Sequence, residues 1–146
     1  MGSKKPSLPA EVFLSYANKD QSFANELAAM LRGHGLPVWY SSTNILGAQQ
    51  WHDEIGHALS RCDWFLLLMS PHAVKSKWVK RELLYALRHD RYEERIVPIR
   101  YKACDESDLS WVLPTLQSVD FCVSYEAGCR ALLRVWGLGL KKTKKA

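Results

Sequence analysis

Asp63-Trp64-Phe65-Leu66-Leu67-Leu68-Met69 is the stretch whose reading decides the fold. One acidic residue is followed by six apolar ones with no polar residue between them. A strand that shows one face to water alternates, whereas an unbroken apolar run belongs to a strand covered on both faces. The run is also far short of the ~20 residues that a membrane-spanning helix requires. It therefore predicts a strand covered on both faces, as in a parallel sheet with helices above and below.

The flanking sequence agrees. Upstream, Trp51 to Arg61 places Ile55, Ala58 and Leu59 on one helical face, after a polar loop over residues 41–50. Leu36 to Tyr40 reads as a strand with Pro37 in its first turn. Asp20 to Arg32 carries Phe23, Leu27, Met30 and Leu31 at helical spacing and ends at Gly33 and Gly35. Glu11 to Ser15 is the first strand. Downstream come a helix over Ser76 to Arg91, a strand over Ile96 to Ile99 and a weak helical pattern over Asp105 to Leu116. A fifth strand over Ser118 to Val123 and a helix over Tyr125 to Trp136 complete the chain. Strands alternating with helices predict an α/β fold with a parallel sheet. Ligands of such sheets sit beyond the carboxyl ends of the strands.

At 146 residues the chain has the length of one domain, and 47% hydrophobic with 24% charged residues excludes disordered and fibrous classes. The net charge of +5 raises nucleic acid or acidic lipid as partners. Its location argues against both. Lys4, Lys5, Lys141, Lys142, Lys144 and Lys145 lie at the two ends; without them, fourteen basic residues face fifteen acidic ones. The beginning of the chain lacks the apolar core of an export signal. Cys62, Cys104, Cys122 and Cys129 form no CxxC pair and read as free thiols of a cytoplasmic protein.

Several chemistries are absent. No GxGxxG follows the first strand, and no GxxxxGK[ST] occurs anywhere. The first strand runs into Ser15-Tyr16-Ala17-Asn18, without the carboxylates of a magnesium-dependent phosphoacceptor site. His52 and His57 diverge by roughly 140° around a helix, so they form no metal pair, and no metal is expected. His34, His72 and His89 read as solvated surface residues.

One helix carries more information. Around Ser76 to Arg91, Val79, Leu83, Ala86 and Leu87 share one face. Trp78, Glu82, Tyr85 and His89 form a stripe beside it, and Lys77, Lys80, Arg81, Arg88 and Arg91 occupy the remainder. A carboxylate between aromatics at a core boundary has two readings. It is either a surface acid paired with Arg81 or Arg88, or a buried functional group with a raised pKa.

Five segments, in order, resemble Toll/interleukin receptor (TIR) domains. Glu11 to Tyr16 resembles their opening strand, and Ile45-Leu46-Gly47-Ala48-Gln49-Gln50-Trp51 their BB loop. Phe65 to Pro71 resembles their third strand, Trp78-Val79-Lys80-Arg81-Glu82-Leu83 their WxxxE helix start, and Ile96 to Ile99 their fourth strand. The match covers residues 10–136 and has the texture of bacterial members. The resemblance implies a flavodoxin-like five-stranded sheet in the order 2-1-3-4-5, with helices on both faces. It implies one of two functions: NAD⁺ nucleosidase activity, as in bacterial antiviral or immune effectors, or non-catalytic assembly through TIR–TIR contacts.

Residue by residue, it implies Glu82 as the catalytic carboxylate, and Trp78, Trp51, Ser15, Tyr16 and Tyr85 as the substrate-binding set. Ser42, Asn44, Ile45, Leu46 and Gly47 would form an assembly loop docking on another copy in a homo-oligomer or filament. NAD⁺ would be substrate, with no cofactor, and the isolated domain would be weakly active. A fused or associated sensor domain is implied, with no contact to nucleic acid or membrane. Residues 1–9 read as a leader, 10–137 as the TIR domain and 138–146 as a basic tail or the start of a linker. The sequence departs from the family where Ser41 and Ser42 stand in place of a common Asp, and Ala17 in place of a common Arg or His.

Overall fold

The computed structural model describes residues 8–40 and 48–141, with the backbone alone for 48–51. Five strands form one parallel sheet in the order β2-β1-β3-β4-β5. They are β1 (Val12–Ser15), β2 (Val38–Trp39), β3 (Trp64–Met69), β4 (Ile96–Arg100) and β5 (Val119–Asp120). The helices are α1 (Gln21–Gly33), α2 (Ala48–Arg61), α3 (Lys77–Arg88) and α4 (Tyr125–Arg134). The expected sheet order and α/β class are both observed.

The apolar run of β3 behaves as its composition requires. All six of its residues are buried. It is the middle strand, pairing β1 from Val12↔Trp64 to Ser15↔Leu67 and β4 from Phe65↔Ile96 to Met69↔Arg100. Successive side chains alternate between two cores. Leu66 and Leu68 meet Phe23, Leu27 and Leu31 of α1 and Leu132 and Leu133 of α4. Phe65, Leu67 and Met69 meet Ile55 and Leu59 of α2 and Val79 and Leu83 of α3.

The differences from expectation lie at edges and connections. β2 and β5 are two residues each rather than five or six. Each is an edge strand with a ladder on one side only, and β5 is stopped where the Asp120 carboxylate accepts from the Cys122 amide (2.7 Å). α3 ends at Arg88, not Arg91, because the chain leaves the helix to serve another one. Arg91 donates to the Cys62 (2.9 Å) and Leu59 (2.6 Å) carbonyls, and the buried Tyr92 hydroxyl donates to the Leu59 carbonyl (2.5 Å). These groups satisfy the orphan carbonyls at the end of α2. The weak helical pattern of Asp105 to Leu116 resolves into two single 3₁₀ turns, Glu106–Asp108 and Leu113–Thr115. Glu106 is held down by Arg100 of β4, whose Nε lies 2.6 Å from its carboxylate.

Past α4, Leu138 and Leu140 pack against the α1–α4 core, and the Lys141 amide donates to His34 Nε2 (2.9 Å). Among the described residues, no helix is long and apolar enough to cross a membrane.

Candidate active site

Two elements converge at the carboxyl edge of the sheet. β1 ends at Ser15, whose side chain points to the α2–α3 face, because Phe13 two residues earlier packs there. α3 crosses that face and is started by Ser76, whose hydroxyl oxygen accepts from the Val79 amide (3.2 Å). Six residues past this cap, less than two turns of helix, Glu82 stands over the end of β1.

Ser15 Oγ donates to Glu82 Oε1 at 2.7 Å. Glu82 is 6% exposed and Ser15 1% exposed. Burial pushes the Glu82 carboxyl from 4.5 up to about 7, and the Ser15 hydrogen bond opposes that rise. The surface-acid reading is thereby excluded. Glu82 is buried, its partner is Ser15, and the neighbouring Arg81 guanidinium lies over the Trp78 ring instead, 5.4 Å from its centroid. A carboxyl poised near neutrality in a dry position is the kind of group that active sites arrange.

The remaining expected residues divide. Trp78 is half-buried one turn before Glu82; the Arg81 guanidinium lies over its ring, and the His52 ring is tilted against it with centroids 6.0 Å apart. Tyr16 lies on the other side of the sheet: its ring joins the α1–α4 core and meets Tyr40 edge-on at 6.1 Å. The alternation of β1 continues past its last residue: Ser15 and Ala17 face the α2–α3 side and Tyr16 between them faces the other. Tyr85 is engaged further along α3, where its ring stacks on His89 at 3.8 Å. The Trp51 side chain and the loop residues Ser42, Asn44, Ile45, Leu46 and Gly47 lie outside the described residues.

A second buried polar pair at the same edge escaped the sequence reading. Ser70, directly after β3, donates from Oγ to the Asp20 carboxylate, and both residues are buried. The available signal was Asp20 at a helix start and Ser70-Pro71 after the apolar strand. Among the described residues, no group of His, Cys, Asp and Glu is arranged to hold a metal ion. Concave regions around Glu94, Ile96 and Leu116, one of about 540 Å³, lie at the amino ends of β3 and β4, away from Glu82.

Comparison with known proteins places these features in context. The family model of the TIR domain matches residues 12–133. A 2' cyclic ADP-D-ribose synthase of Bacteroides thetaiotaomicron, BtTIR, is 26% identical over 100 residues, which is 67% of this chain and 35% of that protein. A probable 2' cyclic ADP-D-ribose synthase of Brucella abortus, TcpB, is 28% identical over 95 residues, 63% of this chain and 38% of that protein. The chain thus spans little more than a third of the length of these curated relatives. Among solved structures, the TIR domain of the Toll-related receptor TRR-2 from Hydra magnipapillata superposes with a TM-score of 0.69. It is 22% identical, and the match covers 84% of this chain and 94% of that one.

Proposed function

The chain belongs to the TIR domain family, and from that premise we propose that it cleaves NAD⁺ between nicotinamide and ribose, with Glu82 as the catalytic carboxylate. The observation that carries this reading is the buried Glu82 carboxyl at the carboxyl edge of the sheet, bonded to Ser15 at 2.7 Å and raised to about 7. The relatives named as cyclic ADP-ribose synthases support the substrate class.

The chemistry suits a single carboxylate. Most glycoside hydrolases need two, because an alkoxide leaving group must be protonated. Nicotinamide departs from a cationic nitrogen as a neutral molecule, taking the bonding electron pair and needing no general acid. What remains is an oxocarbenium-like ribosyl group. An ionised Glu82 stabilises that developing cation and accepts hydrogen bonds from the ribose hydroxyls. Trp78, one turn before Glu82 on α3, would offer its ring to the nicotinamide or the cation. Capture by water, with loss of a proton, gives ADP-ribose; internal capture gives a cyclic isomer.

The loop around residues 41–50 would bring copies together and complete the site, so isolated copies would turn over slowly. Activation would then come from a sensor module, in cytoplasmic antiviral or immune signalling. The test is nicotinamide release from NAD⁺ at high protein concentration, for wild type and Glu82→Ala. Release by wild type that is lost in the variant supports the reading. Equal rates for the two refute it and leave an assembly module that acts through TIR–TIR contacts.

A further inference from the structure

A ring of hydrogen bonds runs through the carboxyl edge of the sheet, and the Ser15–Glu82 contact is only one of its links. Five residues beyond Ser15, Asp20 stands at the head of α1, with its amide on the Ala17 carbonyl (2.8 Å). Its carboxylate accepts from Ser70 Oγ at the end of β3. Ser70 Oγ in turn accepts from the Ala73 amide (3.0 Å), and the Ala73 carbonyl accepts from the Ser76 amide (3.0 Å). Ser76 Oγ accepts from Val79 (3.2 Å) in the first turn of α3. Glu82 follows three residues later and closes the ring on Ser15.

Asp20 breaks a local rule in order to take part. It occupies the N-cap of α1, where an Asp side chain ordinarily accepts from an amide of the first turn. It makes no such bond. At 3% exposure it is turned inward, and its carboxylate is spent on Ser70. The Ser70 hydroxyl is engaged on both sides, donating to Asp20 and accepting from Ala73. Sequences that set aside a local preference tend to do so at functional sites. Here the exchange ties together the two connections that border Glu82, the one after β1 and the one after β3.

We propose that Asp20, acting through Ser70, is a positioning residue for the Glu82 site, fixing the β3–α3 connection and hence the height at which α3 delivers Glu82 to Ser15. The kinetic part rests on the NAD⁺ reading of that site; the structural part rests on the hydrogen-bond ring.

The experiment titrates the Glu82 side-chain carboxyl by NMR in the ¹³C-glutamate-labelled chain, assigned with Glu82→Gln, in wild type, Ser70→Ala, Asp20→Ala and Asp20→Asn. A thermal melt of each variant establishes folding. In folded Ser70→Ala and Asp20→Ala the Glu82 midpoint moves by about half a pH unit or more. In Asp20→Asn, whose side-chain oxygen still accepts from Ser70, it stays near the wild-type value. In the same order, kcat for nicotinamide release falls about 10–100-fold while KM is little changed. If Asp20→Ala does not fold, Ser70→Ala, which deletes one oxygen, carries the test. Variants that fold with lower melting temperature and an unmoved Glu82 midpoint overturn the proposal. Because the titration needs no substrate, a wild-type chain that releases no nicotinamide refutes the NAD⁺ reading and leaves this one standing on its own result.

Discussion

Glu82→Gln tests the electrostatics of the site without reference to any substrate. The folded chain holds the Glu82 proton up to about pH 7, whereas an unfolded glutamate releases it near 4.5. Between those values the native state binds a proton that the unfolded state has lost, so stability falls as pH rises through the window and levels off above it. At about 1.4 kcal/mol per pH unit, ionising Glu82 in place costs the folded chain roughly 3 kcal/mol. Glutamine carries no proton and keeps an oxygen to accept from Ser15. Its amide also buries a donor, but that cost is independent of pH. The assay is urea unfolding of both proteins from pH 4.5 to 8.5. Every other group titrates alike in the two and cancels in the difference. Relative to wild type, Glu82→Gln should gain about 3 kcal/mol between the acid and alkaline ends. In a domain of this length that corresponds to a relative rise in Tm of roughly 6–12 °C. Stability curves that run parallel across the range would show that Glu82 ionises in the native state as it does in water, and the argument from burial would fail.

Ser15→Ala removes the hydrogen bond that holds the Glu82 value down. The rising limb of the pH–rate profile for nicotinamide release, with a wild-type midpoint near 7, should move to higher pH, and an unmoved limb counts against Glu82 as the titrating group. Gly128→Ala in α4 would set a Cβ 2.3 Å from Phe121 Cδ2, so the backbone or the ring must shift. Urea unfolding should show a loss of about 1–3 kcal/mol, whereas a neutral result would mean that Phe121 moves freely. Arg91→Ala withdraws two donors from the carbonyls that end α2. It should cost about 1–3 kcal/mol, and hydrogen exchange should speed up in the last turn of α2 while α1 is unaffected.

The central strand and its helices were legible because a single term dominates there. The run from Trp64 to Met69 and the helical spacing of Phe23, Leu27 and Leu31 record burial, which acts on every residue of an element at once. The edges were less legible because their limits are set by individual partners. Nothing in the local pattern of α3 says that the chain must leave the helix after Arg88. The reason is the carbonyls of Leu59 and Cys62, about thirty residues earlier. β5 likewise stops at a side chain, Asp120, that takes the amide the next turn supplies.

The candidate site divides along the same line. Glu82 could be singled out from its stripe on α3, but helix geometry alone favours a surface ion pair. What separates the two is the position of Ser15, sixty-seven residues away, and only the sheet register brings it there. Tyr16 shows the complementary error. Motif position treats Ser15 and Tyr16 as one unit, while the alternation of β1, continued one residue past its end, turns them to opposite faces. A motif records which residues occur together in sequence; period two along the strand decides which of them meet a ligand. Asp20 was hidden for a third reason. At a helix start, an Asp already has a sufficient local explanation as a cap. Only the absence of that capping bond, together with the bond to Ser70, shows that the carboxylate is committed to the connection after β3.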